Sequence, residues 1–189
     1  MKFNKIHILF FLIAFIFISC KDKNTIPKPR AYFRIDFPEK AYKQYDDDCP
    51  FKFEIPVYSF LIKNKEENCW MDIYFPKNRA TVYMTYKELD DNLRQYLEDQ
   101  REFVYKHVVK ADAIEETEFI NYDDKVYGML YNIKGNTASS VQFYLTDSVN
   151  HFLRGSLYFD VKPNKDSLAP VINFIRGDIE HFMESFSWK

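Results

Sequence analysis

Glycine is scarce. There are four in 189 residues, Gly128, Gly135, Gly155 and Gly177. They are too dispersed to build a phosphate-cradling loop, and none flanks a serine as a nucleophile elbow requires, so nucleotide chemistry and elbow-based hydrolysis have no support. Ser139-Ser140 falls at the start of a predicted strand. Histidine is equally sparse: His7, His107, His151 and His181 stand singly. None has the His-x-x-x-His or Glu-x-x-His spacing that aims two ligands at one metal, and each reads as a structural or surface histidine. Asp46-Asp47-Asp48 lacks the alternation and glycine of a calcium loop and reads as a solvated acidic turn. Paired carboxylates for acid and base work stay open, because acidic residues abound and their pairing in space is not visible in sequence. No catalytic, cofactor-binding or metal-binding residue is assigned.

Long apolar runs are also missing, with one exception. Ile8 to Ile18 is unbroken, but its 11 residues fall short of the about 20 that a bilayer-spanning helix needs. With Lys2 and Lys5 before it and Ser19-Cys20 after it, the stretch has the three parts of an export signal, residues 1–19. Phe17-Ile18-Ser19-Cys20 resembles the bacterial lipobox, with Phe17 where Leu is usual. The resemblance implies cleavage before Cys20 and lipidation of its thiol, and several acyl chains on one residue anchor durably. The alternative is a plain signal peptide with a free cysteine. Residues 20–31, charged and proline-containing, read as a lipidated tether, and residues 32–189 as one globular domain. The expected location is the cell envelope, lipid-anchored at the outer membrane and facing the periplasm. Lys21-Asp22 supplies only one acidic residue toward a surface-export signal.

Basic charge is not in excess either. Loss of residues 1–19 removes Lys2 and Lys5 and no acid, leaving 24 basic against 28 acidic residues, a net charge of about −4. A chain without a basic stripe is a poor partner for phosphate backbones, so nucleic acid binding is disfavoured. Cysteine is limited to three. With Cys20 assigned to lipid, Cys49 and Cys69 form an even pair in an oxidising compartment and read as a disulfide closing the polar loop Lys63 to Asn68. Two buried free thiols are the alternative; no second Cys or His pair nearby supports a metal site.

What the chain has in abundance is aromatic residues, with 19 Phe and 14 Tyr. They fall at period two. Phe33, Ile35 and Phe37; Phe51, Phe53 and Ile55; and Met71, Ile73 and Phe75 predict strands broken at Pro38, Pro56 and Pro76, and Val82, Met84 and Tyr86 predict a fourth. Thr85 and Glu88 have capping-box spacing ahead of Leu89, Leu93, Tyr96, Leu97, Phe103, Val104 and Val108, which predicts one helix from about Glu88 to about Lys110. Its charged face reads as solvated. Strands are predicted again at 117–122, 125–134, 139–146 and 151–162, joined at Asp123-Asp124, Gly135-Asn136 and Asp147-Ser148 as an antiparallel meander. Ser167 is the expected cap of a last helix with Pro170 in its first turn, whose apolar stripe runs from Leu168 through Val171, Ile175, Ile179, Phe182 and Phe186 to the C-terminus. The order strands, helix, strands, helix predicts an α+β fold, a mostly antiparallel sheet covered by two helices. For Tyr58, Trp70, Tyr74 and Trp188, packing and a binding face both remain open.

Two resemblances extend this reading. The element order and the Met-Glu-Ser-Phe-Ser-Trp end are similar to the Mog1/PsbP-type sandwich. The lipobox, Pro-Lys-Pro-Arg-Ala-Tyr-Phe-Arg-Ile-Asp-Phe-Pro at 27–38, Cys-Trp-Met-Asp-Ile-Tyr-Phe-Pro at 69–76 and the final Ser-Phe-Ser-Trp together resemble the gliding motility lipoprotein GldD family of Bacteroidetes. The second resemblance implies a non-enzymatic lipoprotein needed for gliding. Its implied partners are other Gld lipoproteins and the type IX secretion machinery, and its one defined functional residue is Cys20. A binding module for a small apolar ligand or a cell-wall component is the competing expectation, marked by a deep apolar pocket. A carboxylate-dependent hydrolase of envelope sugars would need two carboxyls facing across a cleft.

Overall fold

Seven strands of this chain form one sheet in which every neighbour is antiparallel, ordered β3-β4-β5-β9-β8-β7-β6. The computed structural model describes residues 34–189. The export signal, Cys20, the tether and Phe33 lie outside the described residues. The strands of this sheet are β3 (Phe60–Lys63), β4 (Met71–Phe75), β5 (Ala80–Glu88), β6 (Ala111–Asn121), β7 (Val126–Gly135), β8 (Ser139–Thr146) and β9 (His151–Phe159). A second sheet is formed by β1 (Tyr42–Asp46), β2 (Phe51–Pro56) and β10 (Ser187–Trp188), with β2 in the middle. The helices are α1 (Leu93–Tyr105) and α2 (Lys165–Ser185). The fold is α+β.

Strand alternation sorts the side chains of the large sheet into two layers. On the inner face Met71, Ile73 and Phe75 of β4, Ala80, Val82, Met84 and Tyr86 of β5, Val141, Phe143 and Leu145 of β8, and Leu153 and Leu157 of β9 are all buried. Phe51, Phe53 and Ile55 of β2 meet them, as do Val171, Ile175, Ile179, Phe182, Met183 and Phe186 from α2 and its end. This is the main core. Gly155 sits opposite Phe143 in the ladder, and the Phe143 ring occupies the space where a Gly155 side chain would be, 2.3 Å from an added Cβ. On the outer face α1 packs through Val104 against Tyr131 and Ile133, and Tyr96 stacks on Phe152 at 5.4 Å.

Several expectations are corrected. Ile35 and Phe37 are not in a strand: residues 34–41 are irregular, Ile35 is exposed, and Phe37 stacks on Phe174 of α2 at 4.3 Å. No capping box forms at Thr85 and Glu88, because both stay in β5, opposite Arg154 and His151, and the helix starts after Asn92. Nine cross-strand pairs outweigh a local cap. The helix also ends at Tyr105, in a turn through β-branched Val108 and Val109, and β6 begins at Ala111. Asn164 rather than Ser167 caps α2, its side chain accepting a bond from the Ser167 N–H at 3.2 Å. Pro170 lies at the sixth helical position, past the first turn. The terminal Ser187-Trp188 is not helical: it pairs with Lys52 and Phe51. Strands β1 and β3 carry no alternation strong enough to have been predicted.

Candidate functional site: a buried carboxylate beneath the N-terminal segment

Helix α2 packs its stripe on the sheet because apolar residues recur every three or four positions, and one position of that stripe is an acid. Asp178, between Ile175 and Ile179, is only 2% exposed and is the one buried carboxylate among the described residues. Such a charge costs several kcal/mol unless partners are arranged around it. Three arrive from elsewhere in the chain. Lys40 Nζ donates to Oδ1 at 2.5 Å, Tyr42 OH donates to Oδ1 at 3.1 Å, and Tyr58 OH lies 2.8 and 2.9 Å from the two oxygens. Lys40 also donates to the Phe174 carbonyl at 2.7 Å and sits 4.1 Å from the centre of the Phe174 ring.

Burial, followed by the Asp178 charge and hydrogen bond, pushes the Tyr42 hydroxyl up to about 12. The Tyr58 hydroxyl is pushed further up, by burial and then by its bond to Asp178. Both therefore stay protonated and donate to the carboxylate. One turn along α2, His181 stacks on Tyr42 at 3.6 Å, with its Nε2 2.6 Å from Glu54 Oε2. The void next to Asp178, lined by Phe75, Phe143 and Phe182, is about 10 Å³, at most the space of a single water molecule. With its oxygens already bonded and no room for a substrate, Asp178 works as a clamp that holds residues 37–42 and the β2–β3 turn on α2.

The residues singled out in sequence are dispersed. Cys49 and Cys69 are bonded, with Cα atoms 5.6 Å apart, where β2 and β4 begin. Cys20 is outside the described residues. His151 Nδ1 is 2.8 Å from Tyr86 OH, and its ring stacks on Trp188 at 5.1 Å. His107 follows α1, and burial lowers its pKa. The three histidines do not converge, and no group of three metal-ligating side chains occurs among the described residues. Asp47 is tied to Lys63, whose hydrogen bond holds its carboxyl below the usual range, and Asp46 pairs with Lys189 at 2.7 Å. Trp70 donates to the Tyr86 carbonyl at 2.8 Å. Of the four aromatic residues left open in sequence, Tyr58 and Trp70 serve packing and internal bonds, and the Trp188 ring packs against His151 and Phe186. Sequence reasoning missed the Asp178 clamp, although an acid inside an apolar helical stripe was its visible signal.

A disulfide-stapled α+β domain, whose one buried carboxylate among the described residues is satisfied by its own lysine and tyrosines, defines a structural class suited to an oxidising compartment. The family model described as gliding motility lipoprotein GldD matches residues 22–188, and the chain belongs to that family. Involvement in gliding motility and association with the cell envelope follow from this membership. Among solved structures, the chain is similar to the solution structure of cyanobacterial PsbP (CyanoP) from Synechocystis sp. PCC 6803. The identity is 10%, the match covers 86% of this chain and 99% of that one, and the TM-score is 0.48. No curated protein matches.

Proposed function

We propose that this chain is a non-enzymatic assembly or stabilising component of the gliding apparatus, acting with other Gld lipoproteins and the type IX secretion machinery. In this reading residues 1–19 are removed and Cys20 carries the lipid. Residues 20–31 tether the domain of residues 32–189 to the outer membrane on its periplasmic side. Membership of the GldD family over residues 22–188 carries the reading. Two features of the domain support it. The buried carboxylate is committed to internal bonds, which suits a structural part better than a catalytic one. Among the described residues β3 is an edge strand, and it exposes Phe60 and Ile62, 61% and 50% accessible, beside Val57 at 52%, an apolar row available to a partner. The core beside Asp178 is filled, so no deep apolar pocket opens at that point.

Deleting the chain and blotting for the partner Gld lipoproteins tests the role. Reduced partner levels with impaired secretion are expected, and unchanged levels with normal secretion would overturn it. Labelled palmitate incorporated by the native chain and lost in Cys20→Ser is the matching expectation for the anchor.

A further inference from the structure

Helix α1 covers only part of the outer face of the large sheet. Between the helix and the strands lies an open cleft of about 420 Å³. Its floor is the outward row of three adjacent strands: Tyr83 and Thr85 of β5, Arg154, Ser156 and Tyr158 of β9, and Gln142 of β8. Phe103, Lys106 and His107 form the helix side. None of these residues belongs to the Asp178 clamp or to the exposed edge at β3.

Arg154 is the unusual member. Its Nε donates to Thr85 Oγ1 at 3.0 Å and its guanidinium lies 4.5 Å from the Phe103 ring centre. Among the described residues no carboxylate pairs with this half-buried guanidinium within 4.0 Å, although its planar fork matches a carboxylate. Burial pulls its pKa below the usual value, and Asp99, which pushes the other way, is too far to pair. The other cation of the cleft is already neutralised, since Lys106 Nζ lies 2.9 Å from Glu102. His107, its pKa lowered by burial, adds no charge near neutral pH. One positive charge is therefore left without a direct ion-pair partner, with only Asp99 acting on it from a distance, which suits a monoanion better than a phosphate dianion.

The rest of the lining is flat and apolar, or neutral and hydrogen-bonding. Tyr83 and Tyr158 form an edge-to-face pair at 5.8 Å and, with Phe103, remain 50%, 37% and 39% exposed. Aromatic faces beside amide and hydroxyl groups suit a ring with an apolar face and a polar rim. We propose that this cleft binds an acidic sugar, its carboxylate held by the Arg154 fork, its ring face on the exposed aromatic side chains, and a ring hydroxyl on Ser156, above a floor in which Gln142 is buried and bonded to Gln100.

The test titrates the full chain in detergent micelles with sodium D-glucuronate, D-glucose and N-acetyl-L-phenylalanine, following the Arg154 Nε–H and backbone amide NMR signals. Glucuronate is expected to shift Arg154, Ser156 and Tyr158 saturably with a Kd of about 1 mM, and glucose to bind at least about tenfold more weakly. Arg154→Gln and the milder Tyr158→Ser should each weaken glucuronate binding by about tenfold or more, with the amide signals of α2 unmoved. Equal shifts from glucose and glucuronate, tighter binding of N-acetyl-L-phenylalanine, or no saturable shift at about 50 mM would each overturn the assignment. So would unaltered binding in both variants.

Discussion

Asp178 and its three donors show how one acidic residue organises distant parts of this chain. Replacing it with Asn keeps the size but turns one oxygen into a donor facing donors already present. Asp178→Asn should cost about 2 kcal/mol, a melting temperature lower by about 4–8 °C, read by calorimetry. The tyrosines set a pH dependence of definite sign. Tyr42 moves from 10.0 to about 12 on folding, and Tyr86 and Tyr131 also reach about 12, chiefly through burial. The unfolded chain releases these protons first, so their contribution is whole below about pH 10 and is lost as the pH rises through about 12. Denaturant midpoints should fall across that window while tyrosinate absorbance grows. A midpoint constant to pH 12 would contradict the assignment.

At the scale of elements, the pairing of β8 with β9 depends on a missing side chain. The Phe143 ring fills the space at Gly155, so Gly155→Ala should destabilise by about 1–3 kcal/mol in urea unfolding. Phe143→Leu in the Gly155→Ala background should recover part of that loss, since the clash is with the ring; strictly additive losses would rule this account out. The edge strand β3 behaves differently. Its exposed apolar residues make few demands on the fold, so Phe60→Glu with Ile62→Lys should leave the unfolding midpoint within about 0.5 kcal/mol. If the proposed role is right, cell movement should nevertheless fail in that double variant, because the row offered to a partner is gone. Gliding at the native rate would separate this edge from the function.

Across the molecule, the Cys49–Cys69 bond ties β2 of the small sheet to β4 of the large one over a separation of 20 residues. The chain-entropy model puts its contribution at about 3 kcal/mol, so Cys69→Ser, or reduction of the native chain, should lower stability by that amount in denaturant unfolding. Agreement between the two routes would assign the loss to the cross-link itself.

Periodicity determined much of this architecture. Strands β2, β4, β5 and β7 to β9, and the apolar stripe of α2, follow from residues such as Phe51, Val82 and Phe182 recurring at period two or at helical spacing, because burial on one face writes itself locally. Fold class was legible for that reason. The end of α1, the strand at Ser187-Trp188 and the irregular path of Ile35 and Phe37 were decided by tertiary pairing, since a local preference worth about 1 kcal/mol yields to a ladder or a buried ring. Asp178 and Arg154 were equally beyond the reach of sequence. What each charge does depends on groups more than 50 residues away, and only folding decides whether Asp178 meets Lys40 and whether Arg154 is left without an acid at ion-pair distance.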